Sequence, residues 1–211
     1  MPLSAPNCAL LVIDMQYDFM PGGALAVADG DTLPPLINRL GTHFTQVIVT
    51  QDWHPAGHIS FASSHPGYKP FESITLPYGP QTLWPDHCIQ GSHGARLHED
   101  LDLPHAQLIL RKGCNAHIDS YSAFLEADRT TATGLTGYLK ERGIDTVFVA
   151  GLALDFCVSW TAQDARKAGF TTYVIEDACR AIDMNGSLEN AWKTMLACGV
   201  GRMQSEDLIV P

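Results

Sequence analysis

Long apolar runs, basic clusters and paired cysteines are all missing from this chain of 211 residues. No stretch of about 18 apolar residues occurs, the length that a membrane-spanning helix needs, so no membrane partner is expected. The opening residues, MPLSAPNCALLVID, lack a basic region followed by an apolar run and a small-residue cleavage site, so no secretory signal is expected. Lys and Arg number 13 against 23 Asp and Glu, a formal charge of −10. That excess repels nucleic acid and anionic lipid, and no basic run offsets it locally, which argues against a nucleic-acid partner. The cysteines (Cys8, Cys88, Cys114, Cys157, Cys179 and Cys198) are scattered, with no CxxC pair. A chain of this length needs no disulfide staples, so reduced thiols and a cytoplasmic setting are expected. Internal repeats and low-complexity segments are absent too. These features leave open whether copies of the chain form a homo-oligomer.

What is present is enough apolar side chain, 45% of the total, to bury a full core. Short apolar runs at Ala9–Ile13, Gln46–Thr50, Gln107–Leu110, Thr146–Ala150 and Thr171–Ile175 read as strands covered on both faces. Helical patterns lie between them at Asp31–Phe44, Thr133–Arg142, Asp155–Lys167 and Gly186–Ala197. Gly143 and Gly169 mark two of the helix ends. The alternation predicts an α/β protein, a three-layer α/β/α sandwich on a mainly parallel sheet, built as one domain over 1–211. The stretch from about 53 to 104 breaks the rhythm. It is rich in Pro, Gly and Ser and holds His54, His58, His65, His87, His93 and His98 of the nine histidines. An irregular insertion this long is usually functional, and it reads as a lobe over the active site.

In open α/β sheets ligands sit beyond the carboxyl ends of the strands. Asp14 follows the first predicted strand, Asp52 and His54 the second, Arg111 and Lys112 the third, Asp155 and Cys157 the fourth. In extended backbone, residues two apart face the same side, so Asp52 and His54 can grip one cation. His87 can add a third donor from the insertion. Asp/His/His leaves open positions and suits zinc, manganese or ferrous iron. Alone, Asp-x-His is more often a surface acid beside a loop imidazole. His58 is a further candidate for the metal shell. His93, His98, His105 and His117 read as solvated. Cys157 opens a helix after the small residues Gly151–Ala153, a setting that favours a thiolate. Asp14, ending an apolar strand, needs a partner, and Lys112 is the natural one. As a structural ion pair the two would be inert. Beside a thiol, Asp14 can take its proton and Lys112 can favour the anion. Phe19, Trp84 and Tyr121 flank these motifs and can form a slot for a flat ring.

The segments LLVIDMQYDFMPGGALAV, VTQDWHPAGHISFA, LWPDHCIQGSHGA, KGCNAHIDSYSAF and GLALDFCVSWTAQDA resemble, in order, those of the nicotinamidases in the isochorismatase-like superfamily. The resemblance implies a six-stranded sheet with a short final strand near Val200–Met203. It implies Asp14, Lys112 and Cys157 as catalytic triad and Asp52, His54 and His87 as ligands of one divalent metal, zinc first. His58 or Ser60 would fill any fourth place. It implies a cis peptide at Leu152–Ala153, with the N–H groups of Ala153 and Cys157 as oxyanion hole. Phe19, Trp84 and Tyr121 fall on ring-binding positions. The implied reaction is hydrolysis of nicotinamide to nicotinate and ammonia, serving NAD salvage, with pyrazinamide a second substrate. Relatives acting on carbamoyl compounds or isochorismate, a non-catalytic metal protein and a thiol redox enzyme are the rival readings. The metal pair argues against the first, the intact triad against the second and the lack of an apparent resolving cysteine against the third.

Overall fold

The computed structural model describes residues 5–208. Its central sheet contains β1 (Cys8–Ile13), β2 (Val47–Asp52), β5 (Leu108–Lys112), β6 (Thr146–Leu152), β7 (Thr171–Arg180) and β8 (Gly201–Met203), in the order β5-β2-β1-β6-β7-β8. Every pairing in it is parallel. Four helices complete the layers: α1 (Pro34–Gly41), α2 (Leu135–Glu141), α3 (Ser159–Lys167) and α4 (Ser187–Ala197).

The strand pleat explains the layering. In β1, Cys8, Leu10 and Val12 enter one core cluster with Ile37 and Leu40 of α1. Ala9, Leu11 and Ile13 enter the other, with Leu139 of α2, Ala162 of α3 and Trp192 of α4. Both faces of the strand are buried, as its unbroken apolar run requires. Removing a side chain such as Leu10 or Leu11 would cost about 2–5 kcal/mol.

Several boundaries differ from the sequence reading. Helix α1 is shorter because Pro34 sits at its start and a separate turn, Gly30–Thr32, precedes it. Strand β5 runs on through Arg111 and Lys112, since Gln51 and Asp52 continue the ladder opposite them. As the outermost strand on that side, it leaves Ile109 half exposed and tolerates polar residues. Strand β7 extends to Arg180 across a register shift between Val149 and Gly151. The insertion contains a hairpin that its composition hides, β3 (Ser73–Leu76) against β4 (Gly79–Thr82). Isolated bridges His54–Ile89 and Phe61–Trp84 link neighbouring parts of the insertion, and Gln16–Leu97 ties it to the chain just after β1.

After β1 the chain builds outward through β2 to β5, then crosses back to place β6 on the other side of β1. The strand order therefore reverses between β1 and β6, where a crevice opens at the carboxyl ends. No helix among the described residues is long and apolar enough to cross a membrane.

Candidate active site

At that crevice, Asp14 directly follows β1 and is fully buried with φ +49°. Asp52 and Lys112 are the last residues of β2 and β5 and lie opposite each other in the ladder. Cys157 sits in a wide turn, Leu154–Val158, between β6 and α3. Gly151 allows the close approach of β6 to β1, because a Cβ there would collide with the Ile13 carbonyl oxygen. The Leu152–Ala153 peptide is cis.

Lys112 joins the cluster. Its ammonium lies 2.8 Å from Asp14 Oδ2 and 3.1 Å from Asp52 Oδ1. It donates to the Ser120 carbonyl at 3.0 Å and to Cys157 Sγ at 3.4 Å. The other Asp14 oxygen accepts from the Thr50 hydroxyl at 2.6 Å. Burial pushes the ammonium towards neutrality, but Asp14 and Asp52 outweigh it and hold Lys112 well above the usual lysine range. Burial raises the Asp14 carboxyl, opposed by Lys112 and reinforced by Asp52. Burial also raises the Cys157 thiol well above its ordinary value, and one ammonium does not offset two carboxylates. With the thiol raised, a base is needed to free the sulfur of its proton, and Asp14 is the acceptor at hand.

The three expected metal donors converge. A carboxylate oxygen of Asp52 and a ring nitrogen each of His54 and His87 lie within 4.8 Å of one another, all buried. His54 Nδ1 is 3.0 Å from the Gly113 carbonyl and His87 Nδ1 is 2.8 Å from the Pro85 carbonyl. A carbonyl only accepts, so each Nδ1 carries the proton and each Nε2 presents a bare lone pair. Those Nε2 atoms face Asp52 Oδ2 at 3.1 and 3.5 Å. Three electron-pair donors facing one another need a cation or an extra proton between them, and the set fits a divalent metal. Burial opposes ionisation of Asp52, but the Lys112 ammonium beside it helps to hold its carboxyl well below the usual range. His58 is not free to join. Its Nδ1 is 2.7 Å from the Ser60 hydroxyl and its Nε2 is 2.9 Å from the Asn115 carbonyl. Burial and neighbouring His54 push it down to about 4.

The cleft beside these groups is lined by Phe19, Trp84, Tyr121, Phe156 and Ala153 together with Asp52, His87, Asp119 and Cys157. Trp84 and Phe156 meet edge-on, with ring centroids 4.9 Å apart. Trp84 Nε1 donates to the Tyr121 hydroxyl at 2.9 Å, which fixes both rings. All four residues expected at the substrate therefore line one cleft. Trp53 is elsewhere, under the Arg111 guanidinium at 3.8 Å. His93, His105 and His117 are exposed as expected, whereas His98 is half-buried against Tyr17.

Other supporting residues escaped the sequence reading. Gln16 clamps the Asp52 backbone, donating to its carbonyl and accepting from its N–H, both at 2.8 Å. Asp18 accepts the Cys88 N–H at 2.6 Å and so anchors the residue after His87. Gly113 has φ +68°, and a Cβ there would lie 2.5 Å from His54 Cε1. A glycine directly after a strand-end lysine was the available signal for it. A polar Gln16 two residues beyond a buried acid was another.

Comparison with known proteins agrees with this geometry. Residues 8–207 match the isochorismatase domain family. A nicotinamidase of Acinetobacter baylyi is 64% identical, over 98% of this chain and 96% of its own. The solved structure of an Acinetobacter baumanii nicotinamidase pyrazinamidase superposes with a TM-score of 0.96 at 66% identity, covering 97% of this chain and 99% of that one. The pyrazinamidase of Pyrococcus horikoshii in complex with zinc superposes with a TM-score of 0.77 at 34% identity, over 94% of this chain and 99% of that one. With sheet order, converging strand ends and matches along nearly its whole length in agreement, the chain belongs to the isochorismatase family.

Proposed function

We propose that the protein is a metal-dependent nicotinamidase, hydrolysing nicotinamide to nicotinate and ammonia and also accepting pyrazinamide. The chain acts as one hydrolase domain whose 53–104 insertion roofs the site, in the cytoplasm, where its six free thiols stay reduced. The observation that carries the reading is the continuous line from thiol to ammonium to carboxylate beside an Asp/His/His group and an aromatic slot. Identity of 64% to a nicotinamidase supports the substrate class. The zinc complex of a relative supports a divalent ion, zinc first.

Asp52, His54 and His87 would hold the metal. When bound, the ion would supply a Lewis acid for a ring nitrogen and so help to orient the substrate. Phe19, Trp84 and Tyr121 sandwich the ring and set the carboxamide over Cys157. As Sγ attacks the carbonyl carbon, Asp14 takes the thiol proton. Lys112, between the two, compensates the charge that moves from sulfur to carboxylate. The N–H groups of Ala153 and Cys157 hold the oxyanion. Asp14 then protonates the departing nitrogen, the C–N bond breaks, and ammonia leaves a thioester on Cys157. The same carboxylate takes a proton from water, which attacks the thioester and frees nicotinate and the thiol.

The test is ammonia release from nicotinamide by the purified protein, before and after chelation. Release that stops on chelation and returns with zinc supports the reading. A metal-loaded protein that releases none overturns it.

A further inference from the structure

The pocket holds another buried acid that the mechanism does not use. Asp119 is 2% exposed and lines the cleft with Asp52, His87 and Cys157. Its Oδ2 accepts from Gln81 Nε2 at 2.7 Å and its Oδ1 from the Ser120 N–H at 2.8 Å. Both donors are neutral. Among the described residues no lysine, arginine or histidine forms an ion pair with it. Lys112 is already shared by Asp14, Asp52, the Ser120 carbonyl and Cys157. A buried carboxylate with no counter-ion is costly, so its place demands a positive partner. An Asp119 oxygen lies within 4.8 Å of ring nitrogens of both His54 and His58. It therefore stands at the edge of the Asp52–His54–His87 group. His58 has both nitrogens engaged, so His54, His58 and Asp119 do not form a separate cation site.

We propose that Asp119 is a positioning residue of the metal centre, supplying a further negative charge beside the ion and accepting a hydrogen bond from a water in its shell. The inference rests on the metal reading above. Each Asp119 oxygen keeps a lone pair beyond the one given to Gln81 or Ser120. Groups that act in this way on a bound ion commonly alter its affinity by ten- to a hundredfold.

The test is Asp119→Asn, with zinc affinity measured by chelator competition and thermal melting measured with and without zinc. Asparagine keeps the size and its Oδ1 can still accept from the Ser120 N–H, so only the bond from Gln81 Nε2, which also donates to the Thr82 carbonyl, is put at risk. Zinc affinity should fall about tenfold or more. The rise in melting temperature that zinc produces should be smaller in the variant than in the parent. Asp119→Glu, which keeps the charge, should hold zinc more tightly than Asp119→Asn. Unchanged zinc affinity in Asp119→Asn would overturn the inference and leave the metal reading standing. A melting temperature lowered equally with and without zinc would also overturn it, by showing a structural buttress. Failure of the parent protein to bind zinc would instead remove the reading beneath it.

Discussion

The two halves of the site are built differently. The reacting half, Asp14, Lys112 and Cys157, comes from chain that leaves or ends the strands of one buried sheet. The holding half takes Asp52 and His54 from β2 and the residues just beyond it. His87 and Trp84 come from the irregular insertion. Reacting atoms must be fixed to within fractions of an ångström, and strand ends provide that rigidity. The holding half instead lines the cleft that a substrate must enter, with Trp84 and His87 brought to it by the insertion. Lys112 spans both halves, bonded to Asp14 on one side and Asp52 on the other. Its charge balances a carboxylate in each half.

If the halves have separate duties, substitutions should divide accordingly. The largest effect belongs to Cys157→Ala, which should lower kcat by roughly 10⁴-fold or more while metal content stays normal. Steady-state ammonia release and metal analysis check both. Lys112→Met should damage both halves. It leaves two buried carboxylates facing each other and should cost about 3–5 kcal/mol of stability, read from urea melts, besides abolishing turnover. A well-folded, active Lys112→Met would break the comparison at its joint. Asp14→Asn should lower the acylation rate by about a hundredfold or more with metal retained. An Asp14→Asn protein purified free of metal would place Asp14 among the ligands instead.

The pH profile sharpens the same division. A base must be ionised to accept the thiol proton, so activity falls as pH drops through the pKa of Asp14. Burial raises that pKa, and the acid limb of kcat/KM should therefore lie above the ordinary aspartate value of about 3.9. On the holding side, Gly113→Ala forces a Cβ towards His54 at a left-handed backbone position. It should weaken zinc binding by about tenfold, in keeping with loss of an orienting contact, and leave the thiol cluster in place. The smallest change is Tyr121→Phe. It removes the hydrogen bond from Trp84, worth about 1 kcal/mol, and should raise KM several-fold with kcat nearly unchanged.

The same division governs what could be read before folding. Strands β1 and β6 are buried on both faces, so their apolar runs announced them, and Asp14 and Cys157 stood out at their ends. The Asp52-x-His54 spacing was legible because the extended pleat alone puts the pair on one side. Strand β5 was cut short in the reading because an edge strand needs no apolar end, and Arg111 and Lys112 were placed after it. The β3–β4 hairpin was missed because it is only four residues a side: Ser73–Leu76 alternates polar and apolar, but its partner Gly79–Thr82 carries no large apolar side chain beyond Pro80. Asp119, Gln81 and Gln16 earn their place only through partners far along the chain, such as Gln81 with Asp119 and Gln16 with Asp52. Tertiary contacts of that kind leave no local pattern. At Cys157 the helix start favours a thiolate while burial beside two carboxylates raises the thiol, and only the folded site sets the two against each other.

The most direct test of separate reacting and holding halves is calorimetric titration of nicotinamide and benzamide into Cys157→Ala, with and without zinc. Benzamide carries the same amide and no ring nitrogen. Zinc-loaded Cys157→Ala should bind nicotinamide well and benzamide weakly, and chelation should abolish nicotinamide binding. Equal affinity for the two ligands, or nicotinamide affinity untouched by chelation, would contradict the account and leave the metal donors with a structural duty alone.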